Sequence, residues 1–126
     1  MIFEPRVQAA FREAGIDTET LEAVSAAVVE RVQADAAQLE AFFDRYETVY
    51  SDMDLAHSDR AYPSHAVEYF DSYTHGADLR GWLRFDSWGV PVEDGRLLEG
   101  ADDVVELTLG PTVNDRVRFA ADRDAL

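Results

Sequence analysis

Apolar or small residues recur at Leu21, Val24, Val28, Val32, Ala36, Leu39, Phe43, Tyr46 and Tyr50, eight steps over 29 residues. The period of about 3.6 is that of a helix packed on a globular core, and not the 3.5 of a sustained coiled coil. No Gly or Pro interrupts residues 16–62. A short helix over residues 5–14 is expected before it, with Val7, Ala10, Phe11 and Ala14 on one side and Gly15 as the stop. Asp17 is then placed to cap the long helix, with Glu19 and Glu22 in its first turn and Ile16 able to staple onto Leu21. One continuous helix to Tyr50 would run to about 50 Å, longer than the roughly 36 Å diameter of a compact domain of this size. It must therefore break or protrude. Protrusion would leave Phe42 and Phe43 in need of a partner, which puts a homodimer among the expectations.

The polar stretch 51–63 reads as a connection. Ser64 then suits the cap of a third helix running to about Thr74, with Ala66, Val67, Phe70 and Tyr73 on its apolar side and His75-Gly76 at its end. Beyond it the texture is that of strands. Residues 80–92 are aromatic and extended, Asp94-Gly95 is a hairpin signal, and residues 104–109 and 116–120 alternate around a turn at 110–115. The sum is a single α+β domain over residues 1–126. Two or three N-terminal helices, one of them long, pack on a C-terminal antiparallel meander of three to four strands.

Composition changes what charge can say. All 11 basic residues are Arg, there is no Lys, and 15 Asp with 11 Glu bring the formal charge to −15. The acid is even along the chain: residues 1–63 carry 5 Arg against 13 acids and residues 64–126 carry 6 against 13. A GC-rich genome accounts for the arginines but not for the carboxylates. Such a surface repels itself at low ionic strength, and at about 1 M salt, where the Debye length is roughly 3 Å, that repulsion is largely screened. The expectation is a cytoplasmic protein adapted to high salt. Acidity then ceases to be a guide to partners, but no Arg cluster resembles a phosphate-tracking stripe, which disfavours nucleic acid. Without Cys there is no disulfide and no thiolate chemistry. The opening residues lack a basic stretch followed by an apolar run, and no 18-residue apolar run occurs, so neither secretion nor membrane spanning is expected.

Three groups of residues are candidates for chemistry. His65, Glu68 and His75 would share one stripe of the third helix and could ligate Zn or another divalent ion, with Asp52, Asp54 or His57 closing the site. The ordinary reading of the same residues is surface and capping histidines. Asp52 or Asp54 with His57 could pair a carboxylate with a general base, yet no nucleophile elbow, P-loop or dinucleotide fingerprint accompanies them, and no catalytic residue is assigned. In residues 80–90, RGWLRFDSWGV, inward Leu83 and Phe85 would leave Trp82, Arg84, Asp86 and Trp88 on the opposite strand face, with Arg116 and Arg118 able to share it. Trp and Arg are enriched at binding hot spots. The competing reading buries the indoles and pairs the arginines with Glu106 or Asp86.

The lysine-free acidic texture, with YSDMDLAHS, HGADLRGWLRFDSWGV and LGPTVNDRVRFAADRDAL, resembles a family of short uncharacterised haloarchaeal proteins of unknown function over essentially the whole chain. The resemblance implies a single cytoplasmic domain and brings no cofactor or catalytic residue with it. The leading expectation is a non-enzymatic binding or protein-interaction domain that requires no cofactor, using Trp82, Arg84, Trp88, Arg116 and Arg118 or the long helix. The alternative is a metal-binding protein or metal-dependent enzyme at His65, Glu68 and His75.

Overall fold

The computed structural model describes residues 1–53, 62–98, 100 and 103–126. Helix α1 (Pro5–Glu13) leads into α2 (Thr18–Arg45), and six strands follow: β1 (Thr48–Ser51), β2 (Ser64–His75), β3 (Asp78–Phe85), β4 (Gly89–Leu97), β5 (Val104–Leu109) and β6 (Asp115–Ala120). A 3-10 turn (Arg123–Ala125) follows β6. Each strand pairs antiparallel with the next, and β1 also pairs with β6, so the sheet closes into a barrel. The domain is α+β as expected, but among the described residues six barrel strands replace the three- to four-stranded meander, and the α-helices number two. No described helix is long and apolar enough to cross a membrane.

The long helix is continuous for 28 residues, about 42 Å. Asp17 caps it by accepting from the Thr20 amide at 2.7 Å, which satisfies one of the unpaired amides of the first turn. Its C-terminal half places Ala36, Leu39, Phe42 and Phe43 against the barrel's inward residues. The Phe43 ring lies 5.2 Å from Phe70 on β2 and 5.8 Å from Phe119 on β6. Phe42 and Phe43 are thus satisfied within the chain, and they supply no motive for a dimer. The N-terminal half runs past the barrel, where the opening segment partly covers it. Leu21 and Ser25 are buried there, and the Ile2 amide donates to Ser25 Oγ at 2.8 Å. The helix ends at Arg45 because Thr48, Val49 and Tyr50 are strand formers. Tyr46 and Tyr50, which extend the helical period on paper, lie beyond it.

The expected third helix is strand β2. Its inward positions are His65 and Val67, then Phe70, Ser72 and Thr74, because a bulge between Val67 and Tyr69 inserts Glu68 as an extra residue. One inserted residue turns a spacing of two into three, and so imitates helical spacing. Strand β4 repeats the device: Val90 and Val92 face in, a register shift falls between Val92 and Asp94, and Gly95 faces in next. Asp94-Gly95 is therefore not a hairpin turn. Gly95 sits inside β4 beneath the helix, where an added Cβ would lie 2.6 Å from a Leu107 methyl and 2.9 Å from a Leu39 methyl. The two bulges bend β2 and β4, which a closed barrel of so few strands requires.

Candidate functional site at the barrel mouth

In an up-and-down barrel alternate connections gather at the same end. The β2–β3 turn and the β4–β5 connection lie at the end that α2 covers, since Tyr46 of its C-cap donates to Asp103 at 2.5 Å. The end of β1, the start of β2, the β3–β4 turn and the β5–β6 turn gather at the other. There a cleft of ≈ 580 Å³ opens, walled by Met53, His65, Phe85, Asp86, Trp88 and Val113. Its size is that of a small-molecule pocket.

Local structure fixes each wall. The amide of Phe85 donates to the Trp88 carbonyl at 2.7 Å and that of Asp86 to Ala66 at 3.0 Å, which closes the β3–β4 turn and tips the Trp88 indole inward. Trp88 is half-buried against the core, 5.0 Å from the Phe85 ring. Val113 is held by a tight turn in which the amides of Val113 and Asn114 both donate to the Gly110 carbonyl. Met53, just past β1, is buried.

At the floor stands His65. Strand alternation turns it inward opposite Val49, and it is 8% exposed. Its imidazole stacks on Phe85 at 4.7 Å and meets the edges of Phe119 at 5.9 Å and Trp88 at 6.3 Å. Nε2 lies 2.7 Å from Ser51 Oγ, and that oxygen also accepts from the Met53 amide at 3.3 Å. Burial among these rings holds the His65 pKa below its ordinary value, so the ring is kept neutral. A serine beside a histidine invites comparison with a nucleophile and its base. Ser51 is wholly buried at 0% exposed, however, and no carboxylate among the described residues hydrogen-bonds the ring. Oγ is thus sealed from solvent, and its hydrogen bonds hold the imidazole in place.

The residues singled out from the sequence are dispersed. Trp82 and Arg84 stand on the outer face of β3, Trp82 lying over Gly89 and Arg84 pairing with Glu68 at 3.5 Å. Trp88 belongs to the turn and faces the cleft. Arg116 and Arg118 are on the outer face of β6, three strands from β3 in either direction round the barrel, with Arg118 3.8 Å from Glu106. What accompanies Trp82 outside is Tyr69 and Tyr73 of β2, both exposed. The metal stripe is dissolved by the strand. His65 faces inward, Glu68 occupies the bulge, and exposed His75 lies ten residues along, roughly 33 Å if fully extended. Among the described residues no three His, Asp or Glu stand together as a metal site. Asp52 accepts from the Arg118 amide at 2.8 Å, and Asp54 and His57 lie outside the described residues. Ser51, Met53 and Val113 went unread as site residues. The alternation Thr48, Val49, Tyr50, Ser51 was the one signal that could have turned Ser51 inward with Val49.

Residues 1–124 match the model of a Family of unknown function (DUF7532), and the chain belongs to that family. No curated protein and no solved structure matches it.

Proposed function

We propose that this member of a family of unknown function is a non-enzymatic binding protein whose small-molecule ligand seats in the barrel mouth, and that it works in concentrated salt. The observation that carries the reading is an aromatic-walled cleft in which, among the described residues, His65 is the one buried polar side chain, on the floor. Ligand sites are built in this manner, from apolar walls for affinity and a few fixed polar groups for orientation. The wholly buried Ser51 argues against acyl chemistry, and the dispersal of His65, Glu68 and His75 argues against a metal centre there. The even acidity and the absence of Lys support the saline setting.

Titration with Nile red, an uncharged solvatochromic dye, tests the reading in molar KCl. Saturable, one-to-one blue-shifted emission is expected, weakened about tenfold or more in Trp88→Ala with an unchanged circular dichroism spectrum. Emission that stays at its value in water, or is equally blue-shifted with Trp88→Ala, would reject a ligand site at the mouth.

A further inference from the structure

The hydrogen-bond inventory around Ser51 decides which nitrogen of the neutral His65 ring carries its proton. Ser51 Oγ has one hydrogen to give and two lone pairs to offer. It accepts from the Met53 amide and touches His65 Nε2, with no other partner among the described residues. If Nε2 carried the proton and donated to Oγ, the serine hydrogen would be left without an acceptor in a fully buried place, which costs the desolvation of an unsatisfied donor. If Ser51 donates to Nε2, both groups are satisfied and the proton stands on Nδ1. Nδ1 has no described partner, and among the described residues no polar side-chain atom is both sealed from solvent and unpaired. The small exposure that His65 retains therefore includes Nδ1, in the cleft that His65 lines.

We infer that Ser51 sets His65 in the Nδ1–H tautomer and that the cleft thereby selects a flat, uncharged molecule bearing a carbonyl oxygen. The ligand half of this rests on the binding reading above. An N–H pointing into the cleft presents its positive end, which meets a carbonyl oxygen and repels an ammonium group. Among the described lining residues Asp86 alone is charged, and it stands exposed at the rim of a chain of charge −15, which disfavours an anion. Phe85 and Trp88 offer ring faces and edges to a planar body. Ser51 is thus a positioning residue, acting on the ligand through His65.

The test has two arms on the full chain in molar KCl. Long-range proton–nitrogen correlation on ¹⁵N-histidine-labelled protein at neutral pH reads the tautomer without any ligand, His65 being assigned by His57→Gln and His75→Gln. Nδ1 is expected as the protonated nitrogen, with the proton redistributed toward Nε2 in Ser51→Ala. A wild-type proton on Nε2 overturns the inference. The second arm displaces Nile red with fluorenone and with fluorene, two molecules of one shape differing by the carbonyl. Fluorenone is expected to compete roughly three- to tenfold better, the worth of one neutral hydrogen bond, with the contrast gone in His65→Phe. Equal competition in wild type overturns the carbonyl preference while the binding reading stands. Failure of Nile red itself to bind rejects the binding reading and the ligand class with it, and the tautomer arm still decides the role of Ser51.

Discussion

His65 is placed where its charge would be least welcome, stacked on Phe85 with its outer edge toward Trp88 and its inner nitrogen on Ser51. Desolvation lowers its pKa below the 6.5 of the free side chain. The unfolded chain therefore binds a proton at this site at pH values where the folded chain does not. Stability from this group is complete above about pH 6.5 and is lost as the pH falls toward the depressed folded value, levelling off below it. Urea melts of wild type and His65→Phe between pH 5 and 8 isolate the site, because His57 and His75 are common to both. The stability of the wild type relative to the variant should fall as the medium is acidified; a difference independent of pH would mean that His65 is not held neutral. Reading this residue from sequence alone was defeated by distance: Ser51 and His65 are 14 positions apart, joined through the pairing of two strands. Trp88 and His65, which do share the cleft, were legible only as members of two different sites.

At the scale of elements, what was legible and what was not divide along one physical line. Regular elements show their period. Helix α2 carries its cap at Asp17 and a period of 3.6, and β5 and β6 alternate plainly, so each was visible. Strands with an inserted residue do not keep a period of two. The bulge at Glu68 makes β2 resemble a helix, and the β4 register shift places Asp94-Gly95 within a strand where turn chemistry would put a hairpin. Closure of the barrel was illegible for the related reason that β1 is four residues long and pairs at both edges. The curved sheet also makes a prediction where backbone meets backbone closely. A Cβ on Gly81 would stand 2.6 Å from the Asp71 carbonyl oxygen and 3.1 Å from the Phe70 ring, so backbone must move. At Gly95 the obstructing atoms are methyl ends of Leu107 and Leu39, which can rotate away. Gly81→Ala should cost about 1–3 kcal/mol, the range of core overpacking, and Gly95→Ala less. Equilibrium urea unfolding of both variants checks the order, and a Gly81→Ala loss smaller than that at Gly95 would mean β3 does not pack this closely on β2.

For the whole molecule the governing quantity is the excess of 26 carboxylates over 11 arginines. Salt acts on it in two opposed ways. It weakens the exposed ion pairs, such as Arg31–Asp35 at 3.2 Å and Arg96–Glu106 at 3.5 Å, but pairs of this kind contribute about 0–1 kcal/mol each. It also screens the repulsion among the surplus acids, which acts between all of them at once and opposes compaction. With more than two acids for each arginine the second effect wins, so the folded state should gain stability with salt. The ionic-strength range identifies the cause. The Debye length falls from about 30 Å at 0.01 M to about 10 Å at 0.1 M and 3 Å at 1 M, so screening across a molecule of this size is largely achieved by a few tenths molar. Thermal melts in KCl should therefore rise most steeply below roughly 0.3 M, by more than about 8 °C in total, equivalent to roughly 2 kcal/mol for a domain of this length. A midpoint indifferent to KCl from dilute to molar would remove the case for salt adaptation. A rise confined to salt above 1 M, and larger in sulfate than in chloride, would assign the gain to strengthened apolar burial, with charge repulsion playing no part.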